Sequence, residues 1–138
     1  MAPTSPSAHQ RRILVVDDNE DIRELITFII RDAGMEAISA SQGDQAITLL
    51  ELHPVDLVVL DVMMPGKSGL QILSEIRQSP HSTTAALPVI LISAKSQSED
   101  VERGLVLGAN SYIIKPFKSD ALISVINKEL HLEQAVQA

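Results

Sequence analysis

Leu57-Val58-Val59-Leu60-Asp61-Val62-Met63-Met64-Pro65-Gly66 is the stretch on which the reading of this chain turns. Its four apolar residues run on without polar alternation. A strand of that kind has both faces covered, as in a parallel sheet with helices on either side. The run stops at a carboxylate, and Pro65-Gly66 then marks a turn. Asp61 is therefore expected at the lip of the strand, where solvent reaches, and not buried within it. Three other apolar runs stop in the same way. Ile13-Leu14-Val15-Val16 meets Asp17-Asp18, Val89-Ile90-Leu91-Ile92 meets Ser93, and Ser111-Tyr112-Ile113-Ile114 meets Lys115-Pro116. In a parallel α/β sheet such ends share one edge, and ligands bind there. Three acids, a hydroxyl and a lysine are thus expected to converge, a set able to hold a divalent cation and a phosphoryl group.

Outward from these runs, strand-like and helix-like stretches alternate. Strands are expected at Arg12–Val16, Glu36–Ala40, Asp56–Leu60, Val89–Ile92 and Tyr112–Ile114. Asn19 is placed to cap a helix carrying Ile22, Leu25, Ile26, Ile29 and Ile30, stopped by Gly34. A second helix runs from Asp44 to Leu52, with Pro54 beyond it. Ser68, Ser98 and Ser119 are expected to cap three more, the first stopped by Ser79-Pro80 and the second by Gly108. The stretch His81-Ser82-Thr83-Thr84-Ala85-Ala86 reads as a loop. Five βα units in series imply an α/β fold, a doubly wound parallel sheet between two helical layers.

The chain has 138 residues, the size of one domain, and is 45% hydrophobic. Its only aromatic residues are Phe28, Tyr112 and Phe117, so the core is aliphatic. A net charge of −7 repels a phosphate backbone and argues against direct nucleic-acid binding. With no cysteine there is neither disulfide nor thiolate chemistry. No apolar segment is long enough to span a bilayer, and residues 1–10 lack the apolar stretch of a signal peptide, so the cytoplasm is expected. Residues 1–10 and 132–138 are read as tails around a domain at 11–131.

If Asp17, Asp18 and Asp61 meet, they repel one another, and a cation relieves that. The donors are all oxygens, which favours Mg²⁺, with Mn²⁺ as an alternative. Asp61 can then act as a nucleophile, Lys115 neutralise a phosphate oxygen and Ser93 donate a hydrogen bond to another. Each residue alone also has a plain reading: an Asp after a strand often caps a helix or forms a turn, and a lone lysine is usually a solvated charge. Four strand ends presenting mutually compatible groups outweigh those separate readings. His9, His53, His81 and His131 show no metal spacing and are read as surface residues, and Met63 and Met64 as turn and packing residues.

Val15-Val16-Asp17-Asp18, Leu60 through Gly66, Ile92-Ser93-Ala94 and Gly108 through Phe117 together resemble a response-regulator receiver domain of two-component signalling. The resemblance covers roughly Arg11 to Leu130. It implies a flavodoxin-like three-layer sandwich with strand order 2-1-3-4-5. It implies that Asp61 is the phosphoacceptor and that Lys115 contacts the phosphoryl group. It implies a metal held by Asp18, Asp61 and the main-chain carbonyl of Met63, with Asp17 acting through water. Ser93 and Tyr112 would be the switch pair, and the Lys115–Pro116 bond would be cis. The implied partners are a histidine kinase or phosphotransfer protein, and a downstream protein or effector domain. A second copy could dock through the face at 98–130, with Leu105, Val106, Tyr112, Lys118 and Asp120 as candidate contacts.

An enzyme reading and a nucleotide-binding reading compete and fall short. A haloacid-dehalogenase-type phosphohydrolase needs a second acid two residues after its aspartyl nucleophile, where this chain has Met63. A nucleotide-binding protein needs a glycine-rich loop after the first strand, where this chain has Asp17-Asp18-Asn19-Glu20. A non-phosphorylated interaction module is the third alternative. The chain ends soon after its last helix, so a stand-alone receiver and the first part of a longer protein are both expected forms.

Overall fold

A computed structural model describes residues 10–95 and 97–132. The expected tails therefore lie, apart from Gln10 and Leu132, outside the described residues, as does His9. Five strands, β1 (Arg12–Val16), β2 (Glu36–Ala40), β3 (Leu57–Asp61), β4 (Val89–Ser93) and β5 (Ser111–Ile114), form one parallel sheet in the order β2-β1-β3-β4-β5. Among the described residues six helices flank them: α1 (Glu20–Asp32), α2 (Gly43–Leu52), α3 (Gly69–Arg77), α4 (Ser82–Ala85), α5 (Ser98–Val106) and, after the last strand, α6 (Ser119–Glu129). The doubly wound three-layer architecture expected from the apolar runs is the one observed.

The continuous runs behave as both-face strands should. Every residue of Ile13–Val16, Leu57–Leu60 and Val89–Ile92 is fully buried. Alternate side chains enter two separate cores. One joins Ile13, Val15, Val59, Ile90 and Ile92 to α1 and α6 through Ile26, Ile30, Leu122 and Ile126. The other joins Leu14, Leu60, Val58 and Leu91 to α2 and α3 through Ala46, Ile72, Leu73 and Ile76. Each fully buried aliphatic side chain contributes about 1.5–3 kcal/mol, so the sheet stays rigid beneath its loops.

Local capping departs from expectation in places. Asn19 caps α1 by accepting from the Ile22 N–H, and Gly34 follows its end with φ +90°. Ser68 caps α3 in a reciprocal capping box with Gln71. Ser98 and Ser119, however, are the first helical residues of α5 and α6; the capping positions fall to Gln97 and Lys118, neither with a side-chain cap. A hydroxyl one position too late cannot turn back onto the free N–H groups. The stretch read as a loop at 81–86 holds the short α4, whose turn is closed by Ala85 N–H to His81 O and Ala86 N–H to Ser82 O. The described histidines, His53, His81 and His131, are exposed as expected.

Candidate functional site

The carboxyl ends of β1, β3, β4 and β5 meet at one edge. Asp17 follows β1 directly, and its N–H bonds the Ala40 carbonyl across to β2. Its side chain is completely buried, accepting from the Asn19 N–H at 2.9 Å. Asp61 is the last residue of β3, paired in register with Ile92. It is 3% exposed, so the expectation of a solvent-facing carboxylate at the strand's lip is corrected. The ladder continues one residue further than the apolar run, and Lys115 and the following turn close over the side chain. Asp18, by contrast, is exposed. Carboxylate oxygens of Asp17, Asp18 and Asp61 all lie within 4.8 Å of one another.

Lys115 lies among them. Its Nζ is 3.2 Å from Asp17 Oδ2 and 3.4 Å from Asp61 Oδ1. The Lys115 N–H bonds the Ser93 carbonyl, which aligns the end of β5 with the end of β4, and the Lys115–Pro116 bond is cis, as expected. Burial, and then the Asp17 charge, push the Asp61 carboxyl from 3.8 up to about 6, while Lys115 and the Met63 N–H pull the other way. One cation against three clustered acids leaves a deficit of positive charge. The remaining donor chemistry is oxygen only, which suits a hard divalent ion. Met63 donates its N–H to Asp61 Oδ1 at 3.3 Å, and its carbonyl accepts no hydrogen bond among the described residues, leaving that oxygen open to a ligand.

Ser93 is wholly buried at the end of β4, its Oγ accepting from the Lys95 N–H at 3.0 Å. Tyr112 is half-buried, and its hydroxyl donates to the Lys95 carbonyl at 3.0 Å. The two residues paired by the sequence reading are therefore joined through the main chain of one loop residue. Met63 is 54% exposed at the rim of the site while Met64 packs into the core.

Three contributors escaped the sequence reading. Gly69 begins α3 directly against β3: a Cβ there would sit 2.1 Å from the Asp61 carbonyl oxygen. Lys67 braces the intervening turn through Asp44 at 2.9 Å and Glu75 at 2.7 Å, and these two partners raise its pKa. Arg23 donates to the Asp17 carbonyl at 2.9 Å. The Ser68-Gly69 pair, a cap followed by a residue without a side chain, carried the one readable signal.

The geometry matches known proteins. A family model described as the response regulator receiver domain matches residues 13–127. The phosphate regulon transcriptional regulatory protein PhoB of Escherichia coli is 39% identical over 116 residues, 84% of this chain and 50% of PhoB. The DNA-binding response regulator MtrA of Mycobacterium leprae is 37% identical over 122 residues, 88% of this chain and 52% of MtrA. The chain thus spans about half the length of these curated relatives. A response regulator receiver protein from Pseudomonas putida superposes with a TM-score of 0.81 at 30% identity, covering 88% of this chain and 98% of that one. The receiver domain of a Francisella response regulator gives the same TM-score, identity and coverage.

Proposed function

The chain belongs to the response-regulator receiver domain family of two-component signalling, and from that premise we propose that Asp61 accepts a phosphoryl group from a phosphohistidine. The observation that carries this is the setting of Asp61. Its Oδ1 is engaged by both Lys115 and the Met63 N–H, while Oδ2 has no hydrogen bond among the described residues. A carboxyl with a pKa near 6 is still ionised at neutral pH, and is a better nucleophile than an ordinary aspartate.

In this reading Asp61 attacks phosphorus in line. The donor's P–N bond breaks, and its imidazole leaves with the electron pair and takes up a proton. The product is an acyl phosphate on Asp61. Lys115 stands beside the growing negative charge and offsets it. Asp18, Asp61 and the Met63 carbonyl would hold Mg²⁺ or Mn²⁺, with Asp17 acting through water. When bound, the ion adds positive charge at the phosphoryl oxygens. Water attack on phosphorus later restores the carboxylate and releases phosphate. The domain thus assists its own phosphorylation and hydrolysis and does not turn over a substrate pool.

Output follows from the shared Lys95 link. A phosphoryl oxygen that draws the Ser93 hydroxyl inward takes away the acceptor of the Lys95 N–H. The loop then shifts, and the Lys95 carbonyl releases Tyr112. The surface beyond Tyr112 exposes Leu105, Val106, Leu107 and Ile114, with Lys118 and Asp120 also exposed, which supports the 98–130 face as the contact for a downstream protein or a second copy. The receiver unit is taken as 11–131, its phosphodonor as a histidine kinase or phosphotransfer protein, and its compartment as the cytoplasm. Among the described residues no helix is long and apolar enough to cross a membrane.

Incubation with acetyl phosphate and Mg²⁺ tests the assignment. The wild-type chain is expected to gain one alkali-labile phosphoryl group and Asp61→Asn none. Equal labelling of the variant would remove Asp61 from the role.

A further inference from the structure

We propose that Arg23 is a positioning residue of the metal site, fixing the peptide between Asp17 and Asp18 and thereby the direction of the Asp18 carboxylate. This rests on the metal-binding reading of the three acids.

Arg23 lies on the first turn of α1, half-buried, against the segment that carries the acidic pair Asp17-Asp18. A guanidinium so placed would ordinarily form a two-point pair with a carboxylate. Here, among the described residues, it makes no ion pair, and its Nη1 donates to a neutral oxygen, the main-chain carbonyl of Asp17, at 2.9 Å. The other groups of this segment are anchored elsewhere. The Asp17 N–H bonds the Ala40 carbonyl, the Asp17 carboxylate accepts from Asn19 and Lys115, and the Asn19 side chain is occupied in capping α1. The Asp17 carbonyl alone depends on Arg23. Rotation of that peptide would swing the Cα of Asp18. Asp18 has no described hydrogen bond or ion pair of its own to hold its exposed carboxylate near Asp17 and Asp61. Arg23 thus supplies the constraint that Asp18 lacks.

The sign of one measurement separates this role from a simple charge effect. A cation near the site repels a metal ion, so loss of the Arg23 charge by itself strengthens binding. Loss of a positioning bond weakens it. Partial loss of that constraint corresponds to about three- to tenfold in affinity.

Mg²⁺ titration of the full chain, followed by amide shifts of residues 17–19 and 61–63, provides the test, with thermal unfolding in EDTA alongside. Arg23→Met keeps the aliphatic stem and removes the donor; it is expected to bind Mg²⁺ about three- to tenfold more weakly while its metal-free melting temperature changes little. Arg23→Lys keeps the charge and one donor and is expected to recover most of the affinity. Unchanged or tighter binding by Arg23→Met overturns the proposal, as does Arg23→Lys binding no better than Arg23→Met. If Arg23→Met melts early, the Lys variant alone decides. Wild-type protein that shows no Mg²⁺ response would instead overturn the metal reading on which the proposal stands.

Discussion

At the amino edge of the sheet, Arg77 and Arg12 are each tied down by several acceptors. The Arg77 guanidinium, at the end of α3, donates to the Gly108 carbonyl at 2.7 and 3.0 Å, to the Ala85 and Leu87 carbonyls, and to Asn110 Oδ1. Arg12 pairs with Glu36 at 2.9 Å, and its N–H bonds Asp56. At the carboxyl edge, some five residues further along each strand, three acids cluster, two of them, Asp17 and Asp61, share one lysine, and Asp61 is driven up to about 6. The same sheet supports both. One edge is arranged so that removing a charge harms the fold, and the other so that removing a charge relieves it. A binding site is held ready by that uncompensated charge, and the matched edge contributes the stability that tolerates it.

The largest expected effect breaks the amino edge. Arg77→Met leaves three main-chain carbonyls, those of Ala85, Leu87 and Gly108, without their donor, while Asn110 Oδ1 keeps the Val89 N–H, and should cost about 3–4 kcal/mol in urea unfolding. Mg²⁺ affinity should be unchanged, because the change lies at the far end of the strands. Gly69→Ala comes next, at about 2–3 kcal/mol, since its Cβ must displace the Asp61 carbonyl. Unlike Arg77→Met, it should also weaken Mg²⁺ binding in a titration.

Asp61→Asn should act with the opposite sign. The folded pKa of Asp61, about 6, exceeds its unfolded value near 3.8, so ionisation disfavours the fold. The penalty is complete above about pH 6 and fades as pH falls toward about 4. Without metal, the variant should be more stable than wild type by about 1–2 kcal/mol at pH 7.5 and indistinguishable below about pH 4. Melting curves across that window check it; a variant less stable at pH 7.5 would break the contrast between the edges. Ser68→Ala gives the smallest shift, about 1 kcal/mol for the lost cap. It should be equal in EDTA and in Mg²⁺, because that bond is neutral.

The strands were legible because continuous apolar runs leave few alternatives, and Asp17, Asp18, Asp61, Ser93 and Lys115 were legible as the residues that stop them. Burial was harder to read. Asp61 looks from its flanks like a loop residue, yet it stays in register with Ile92 because the Val62 N–H beyond it still bonds the Ile92 carbonyl, and Lys115 arrives from 54 residues away to cover it. Ser98 and Ser119 misled because a capping hydroxyl and a first-turn hydroxyl differ by one position. Arg23 and Arg77 could not be read at all: both act on main-chain carbonyls, and a carbonyl has no letter in the sequence.

The account is tested most directly by locating the covalent product. After brief exposure to acetyl phosphate and Mg²⁺, borohydride reduces an aspartyl phosphate to homoserine, and peptide mass spectrometry finds the position. Homoserine at position 61, and at no other aspartate, is the predicted result. Homoserine at 17 or 18, or its absence from a protein that binds Mg²⁺ normally, would contradict the reading of this edge as a phosphoacceptor site.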